Sequence, residues 1–480
     1  MEKLLQNIRI QEQIANQLEI PREERLKLLN KVSNLTNDFI DDLPIAKSFI
    51  LKAIDKNKIS ITNTKHELND LLSVLQTEML ESGIRAASGG HVGYIPGGGI
   101  YASALADYIA AVSNEYAGVS YASPGAVAIE NEVLNWLKGV FSFPRSAAGN
   151  LASGGSISNL IALTAARDKH QVKNEKITKS VIYLSSYAHH CIKKSLRIIG
   201  LEDVQIRELK LDDHFKIDVE DLKMKINADK SAGLTPFLVI ASAGTTDVGA
   251  IDPLDEIATI AHENKLWFHV DAAYGGFFIL TSRKNLFKGI ERADSLVVDP
   301  HKGLFLPYGL GAVLVKDQKA MLHSNLYTAN YMQDSVVDEL INDPANVSPE
   351  LTKHFRGLRL WLPLQLHGIE PFIATLEEKL LLTEYFRVKL QELGFCVGPQ
   401  PDLSVSYFWF PTQVDQNAFN KRLMQLIHDD GSVFLSSTMI NDRFVIRIAI
   451  LSFRTKQTTI DRALEMITRC LEITQAEFNV

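Results

Sequence analysis

Short apolar runs of strand length recur through the middle of the chain, at Val181–Leu184, Phe237–Ala241, Leu266–Val270, Ser295–Val298 and Ala312–Val315. Each is rich in β-branched or aromatic residues. Apolar positions at helical spacing, as in Leu254 to Glu263, separate several of them. Strands alternating with helices predict βαβ units, hence an α/β fold with a mostly parallel central sheet flanked by helices. This pattern fills a large domain over residues 86–370. Within that span Asp334 to Pro349 is polar and reads as a mobile loop, followed by an amphipathic helix over Glu350 to His367.

Residues 1–85 carry apolar positions at three- and four-residue spacing, through Ile8 to Leu18 and Leu26 to Val32, punctuated by Pro21 and Pro44. They predict an N-terminal helical segment. It has no dense core of its own, so it should pack on something else, such as a partner subunit. Residues 371–480 predict a small C-terminal α+β domain. Its elements are a helix at Leu376–Leu393, strands at Ser404–Phe410 and Phe444–Ile450, and a last helix at Thr459–Thr474.

Length and composition agree with this division. A chain of 480 residues with 46% hydrophobic and 22% charged positions is long enough for two or three cores. The net charge of −7 and the scattered basic residues argue against a nucleic-acid or anionic-membrane partner. No apolar run approaches the ~18 residues that a membrane span needs. The N-terminus is charged and amphipathic, unlike a signal core. Cys191, Cys396 and Cys470 are far apart and form neither a metal spacing nor a disulfide framework. A cytoplasmic location is the expectation.

In an open parallel sheet, ligands bind beyond the carboxyl ends of the strands. The residues just past each predicted strand therefore carry the candidate chemistry. Ser185-Ser186-Tyr187-Ala188-His189-His190 comes after the first, Gly244-Thr245-Thr246 after the second, Asp271-Ala272-Ala273 after the third, and Asp299-Pro300-His301-Lys302-Gly303 after the fourth. An imidazole, a hydroxyl, a carboxylate and an amine thus reach one edge of one sheet.

Lys302 is the candidate amine for a Schiff base with pyridoxal 5′-phosphate (PLP), because a desolvated lysine becomes nucleophilic. Asp271 is the candidate partner of the pyridine nitrogen. A charge pair about 4 Å apart is worth roughly 4 kcal/mol at an effective dielectric near 20, enough to hold a pyridinium at neutral pH. Alternatively Asp271 caps the next helix. His189 and His190 compete to cover the ring or deliver a proton, and local pattern does not rank them. Thr246 is either a ring contact or an ordinary turn residue. Ser153-Gly154-Gly155-Ser156 opens the helical run Ile157–Arg167, and its backbone N–H groups suit a phosphate. The chain has neither a P-loop nor a Gly-x-Ser-x-Gly elbow in this region. Asp212-Asp213-His214 lacks matching metal ligands, so no metal is expected.

Taken in order, Asn-Leu-Ala-Ser-Gly-Gly-Ser (150–156), Tyr-Ala-His-His (187–190), Ala-Gly-Thr-Thr (243–246), His-Val-Asp-Ala-Ala-Tyr-Gly-Gly (269–276) and Asp-Pro-His-Lys-Gly (299–303) resemble the group II PLP-dependent amino-acid decarboxylases, which include the aromatic-L-amino-acid decarboxylases. The resemblance runs from about His91 to Arg454. It implies a fold-type I PLP enzyme, a homodimer with active sites near the subunit interface, and decarboxylation of an L-amino acid, with aromatic substrates the first expectation. By matched position it gives Lys302 as the Schiff-base lysine, Asp271 as the pyridinium partner and His189, not His190, as the ring-stacking histidine. It places Ala273 on the ring face, Gly155 and Ser156 at the phosphate, and Thr246 and His301 in the cofactor site.

Three departures stand out. Position 299 is Asp where many members have a phosphate-contacting Asn. Pro96-Gly97-Gly98-Gly99 replaces polar residues that line the substrate side in animal aromatic decarboxylases. The loop tyrosine that protonates the decarboxylated carbon has no counterpart. Counting back from Phe355 puts Pro344 at its position, and the nearest upstream tyrosines are Tyr327 and Tyr331. The same chemistry could thus end in an aldehyde by oxidative deamination, or in transamination. A relic site without catalysis is the remaining alternative.

Overall fold

The seven-stranded sheet that carries the site comprises β1 (Ala148–Ala152), β2 (Ser180–Ser185), β3 (Gln205–Leu209), β4 (Thr235–Ser242), β5 (Trp267–Asp271), β6 (Ser295–Val298) and β7 (Gly311–Val315). The computed structural model describes residues 1–326 and 343–480. Most of the Asp334–Pro349 stretch, together with Tyr327 and Tyr331, lies outside the described residues. The sheet order is β1-β7-β6-β5-β4-β2-β3. The five strands from β3 to β6 run parallel, whereas β7 is antiparallel to both β6 and β1. The physical reason is the length of the link. A parallel return needs a long crossover. Residues 299–310 supply only the one-turn helix Pro300–Gly303, so the chain comes straight back.

Strands β2, β5, β6 and β7 are buried along their whole length, as expected of a sheet covered on both faces. Side chains alternate between two cores. Val239, Ala241, Phe268 and Val270 face one, and Leu238, Ile240 and Trp267 face the other. Helix Gly155–Lys169 lies on the second face, with Ile161, Ala162, Ala165 and Ala166 against the sheet.

Strands β8 (Cys396–Val397), β9 (Val405–Trp409), β10 (Ser436–Ile440) and β11 (Arg443–Ala449) form a separate antiparallel sheet in the order β8-β9-β11-β10. Asn441 and Asp442, with φ of 48° and 62°, make the tight turn between β10 and β11. Helices Glu370–Glu392, Gln416–Asp430 and Gln457–Phe478 share a third core with this sheet. Arg447 of β11 reaches back to the large sheet. It donates to the carbonyls of Tyr94 (2.8 Å), Asp247 (3.0 Å) and Thr246.

Some elements differ from expectation. The helix predicted over Glu350–His367 begins at Gly357, because the buried Glu130 carboxylate accepts from the N–H groups of Arg356 (3.0 Å) and Gly357 (3.2 Å) and fixes the helix start there. The helix predicted from Leu376 starts earlier, at Glu370. The N-terminal segment does hold helices Glu2–Ala15 and Arg22–Asp42, neither with a buried residue. It is not helical throughout. Phe49–Ile50 pairs with Gly83–Ile84, and the N–H groups of Ser48 and Phe49 bond to the Gly431 carbonyl.

Candidate active site

At the carboxyl ends of β2, β4, β5 and β6, opposite the N-terminus of helix Gly155–Lys169, lies a cavity of about 340 Å³. Gly155, Ser156, His189, Thr246, Asp271, Ala273, His301 and Lys302 all line it. The size suits a small ligand. The Pro96–Gly99 segment is placed differently. A Cβ at Gly97 would collide with the backbone carbonyl of His301, so this loop packs against the lysine-bearing turn.

Lys302 projects from the helix Pro300–Gly303 just past β6, with Nζ 3.0 Å from Asp299 Oδ2. Burial, the largest influence, pulls the ammonium's pKa down. Asp299, by charge and by hydrogen bond, pushes it up together with the Asp271 carboxylate, and the net result lies above the ordinary lysine value. Asp299 is 1% exposed, and its other oxygen, Oδ1, is buried without a hydrogen-bond partner among the described residues. His301 donates from Nδ1 to the Leu310 carbonyl at 2.6 Å, and burial holds its pKa below the usual histidine value.

Asp271 ends β5. Its Oδ1 accepts from the Ala273 N–H at 3.1 Å and its Oδ2 from Asn159 Nδ2 at 3.1 Å. His189 Nδ1 accepts from the Cys191 N–H at 3.2 Å. Burial lowers its pKa more than the nearby Asp271 carboxylate raises it, so the ring is neutral with its hydrogen on Nε2. Gly154 caps helix Gly155–Lys169 at φ 154°, a conformation open to glycine and strained for other residues. A Cβ at Gly155 would come within 3.0 Å of Asp299 Oδ2 and 3.2 Å of the Ala273 Cβ, so a side chain there would crowd both.

These features fit PLP. An amine, a carboxylate held by two hydrogen bonds, a neutral imidazole and an exposed helix N-terminus surround one space. They match in kind an aldehyde, a pyridine nitrogen, a ring face and a phosphate. Tyr187 of the Tyr-Ala-His-His motif also lines the cavity, as do Asn159, Cys191 and Ser242, which no sequence motif marks as site residues. For Asn159 the available signal is a lone amide on the otherwise apolar face of a helix. Among the described residues no cluster suited to a metal is present, and no helix is long and apolar enough to cross a membrane.

Comparison with known proteins agrees with the geometry. The family model described as the pyridoxal-dependent decarboxylase conserved domain matches residues 53–405. An aromatic-L-amino-acid decarboxylase from Bacillus atrophaeus is 32% identical over 458 residues, covering 92% of this chain and 94% of that protein. A phenylacetaldehyde synthase from Arabidopsis thaliana is 29% identical, covering 72% and 74%. The crystal structure of Catharanthus roseus tryptophan decarboxylase with L-tryptophan superposes with a TM-score of 0.86 at 22% identity, covering 94% of this chain and 99% of that one. Fold, cavity and sequence converge, and the chain belongs to the pyridoxal-dependent decarboxylase family as a PLP-dependent carboxy-lyase.

Proposed function

We propose that the protein decarboxylates an aromatic L-amino acid to its amine, with Lys302 as the lysine that carries the cofactor. The observation that supports this most is the meeting of Lys302, Asp271, His189 and the Gly155 helix N-terminus in one cavity. The similarity to aromatic decarboxylases over nearly the whole chain supports the substrate class.

In this reading, Gly155 and Ser156 hold the phosphate through the helix N-terminus. Asp271 would hold a proton on the pyridine nitrogen, and His189 and Ala273 would line the ring. Thr246 and His301 complete the wall. PLP, when bound, takes up the electron pair left on the substrate Cα as carbon dioxide departs. The residues decide which bond breaks by orienting the substrate. Lys302 Nζ would be the amine that holds the cofactor through its aldehyde carbon.

A second reading is aldehyde formation. It is favoured by the absence of a tyrosine between Asp334 and Phe355 and by relatives described as phenylacetaldehyde and 4-hydroxyphenylacetaldehyde synthases. Product analysis with aromatic amino acids separates the two. Amine with carbon dioxide supports decarboxylation, whereas aldehyde with ammonia and peroxide supports the alternative. Release of carbon dioxide from no aromatic amino acid would overturn both. In Lys302→Ala, turnover and the Schiff-base absorbance at about 420 nm should both be lost.

We also read the protein as a cytoplasmic homodimer built from an N-terminal segment (1–85), a PLP-binding domain (86–370) and a C-terminal domain (371–480). The exposed apolar side chains of the first helix, Leu4, Leu5, Ile8 and Ile14, support burial against a second copy. Three unpaired cysteines suit a reducing compartment.

A further inference from the structure

From the cavity-lining pair Asp271 and Asn159, a buried chain of polar side chains that decarboxylation does not directly use runs back into the sheet. Trp267 Nε1 lies 2.8 Å from Ser295 Oγ, and Ser295 Oγ lies 2.8 Å from His269 Nδ1. His269 Nε2 lies 2.7 Å from Asn159 Oδ1, and Asn159 Nδ2 lies 3.1 Å from Asp271 Oδ2. His269, Asn159 and Ser295 have no measurable exposure.

The direction of this chain is fixed at its far end. An indole N–H has a hydrogen to give and no lone pair to receive one. Ser295 Oγ therefore accepts from Trp267 and turns its own hydrogen to His269 Nδ1. That leaves the imidazole hydrogen on Nε2, donating to the Asn159 carbonyl oxygen. The Asn159 amide is then oriented with its NH₂ toward Asp271. Reversal would aim two donors at the serine oxygen and leave the hydroxyl hydrogen unplaced. It would also set the Asn159 carbonyl against the Asp271 carboxylate, acceptor to acceptor, a costly pairing in a buried site. Burial keeps His269 neutral, with its pKa lowered to about 4, as a one-donor, one-acceptor link requires.

We propose that Asn159, oriented by this one-way chain from the Trp267 indole, is a positioning residue that keeps Asp271 a pure acceptor toward the pyridine nitrogen of the cofactor. The inference rests on the assignment of Asp271 to that nitrogen. With Oδ1 taking the Ala273 N–H and Oδ2 the Asn159 amide, the lone pairs left over are those available to the cavity.

The test is equilibrium titration of the apoenzyme with PLP and with its 1-deaza analogue, in which a C–H replaces the ring nitrogen, followed by cofactor absorbance. Asn159→Leu, which keeps the volume and removes the donor, should weaken PLP binding about tenfold and leave the analogue nearly unchanged. Trp267→Phe keeps an aromatic ring, removes the N–H donor and trims the ring, and the lost packing would weaken both ligands alike. Beyond that common loss, the variant should show the same selectivity at about threefold. A residue that merely supports the fold would weaken both ligands alike. Asp271→Ala is the control. If it weakens PLP and the analogue equally, the assignment of Asp271 itself is wrong. If Asp271→Ala is selective for PLP while Asn159→Leu and Trp267→Phe are without effect or weaken both ligands equally, the relay is overturned and the Asp271 assignment stands.

Discussion

Asp299 reaches forward one helical turn to Lys302, with Oδ2 3.0 Å from Nζ and both groups at the wall of the same cavity. The carboxylate lifts the lysine pKa against the burial that lowers it. A raised pKa keeps the amine protonated to higher pH, and a protonated amine does not attack an aldehyde. Asp299→Asn should therefore move the half-maximal rate of covalent PLP uptake to lower pH. Stopped-flow absorbance after mixing apoenzyme with PLP across a pH series reads this out, and a profile unchanged from wild type would break the link between the two residues.

The N-terminus of helix Gly155–Lys169 offers a second check. A methyl at Gly155 meets Asp299 Oδ2 and Ala273 within 3.0–3.2 Å, at a residue that lines the cavity. Gly155→Ala should weaken PLP about tenfold or more, as expected for loss of a charge-assisted hydrogen bond. Pyridoxal, which lacks the phosphate, should be affected far less. Equal losses for both ligands would place the phosphate elsewhere.

Glu130 and Lys353 form an ion pair whose side chains are 1% and 0% exposed, and the same carboxylate caps helix Gly357–His367. Removing one member of such a pair strands the other charge in the interior. Glu130→Gln should cost about 3 kcal/mol, and adding Lys353→Met should restore much of it. Apparent melting temperatures of the three PLP-loaded proteins test the order. A double variant no more stable than Glu130→Gln alone would contradict it.

His91 is 3% exposed, and burial lowers its pKa to about 4. An unfolded histidine titrates near 6.5 and binds its proton first as the pH falls, so acid favours unfolding. This penalty is absent above pH ~6.5, grows down to pH ~4 and is worth on the order of 3 kcal/mol there. His91→Leu should flatten the fall in melting temperature over that window. An equally steep fall would assign the acid sensitivity to other groups.

How far each residue is legible in the sequence depends on where it stands along its element. Asp271 comes directly after an apolar run whose end is visible from composition, and Lys302, His189 and Thr246 lie a few residues past the ends of others, so a rule about strand ends gathers them into one place. Helix Leu254–Glu263 and strand Ser295–Val298 are legible to the residue because their apolar patterns are unbroken. Strand β1, Ala-Gly-Asn-Leu-Ala, is not, since glycine, asparagine and alanine are poor strand formers and only pairing with β7 makes it one. Asn159 is hidden for a similar reason. It sits in mid-helix and meets Asp271 from 112 positions away, through the packing of that helix on β5. The start of helix Gly357–His367 is set by Glu130, which no local window contains.

Trp267, His269 and Asp271 occupy alternate positions of one buried strand, with Phe268 and Val270 turned to the opposite core. Spacing by twos means that a single-residue insertion or deletion inside β5 would rotate the acid, the imidazole and the indole out of place together. Point changes can erode this polar chain one group at a time, but a shift of reading along the strand removes it whole. The segment therefore tolerates substitution more readily than any change of length.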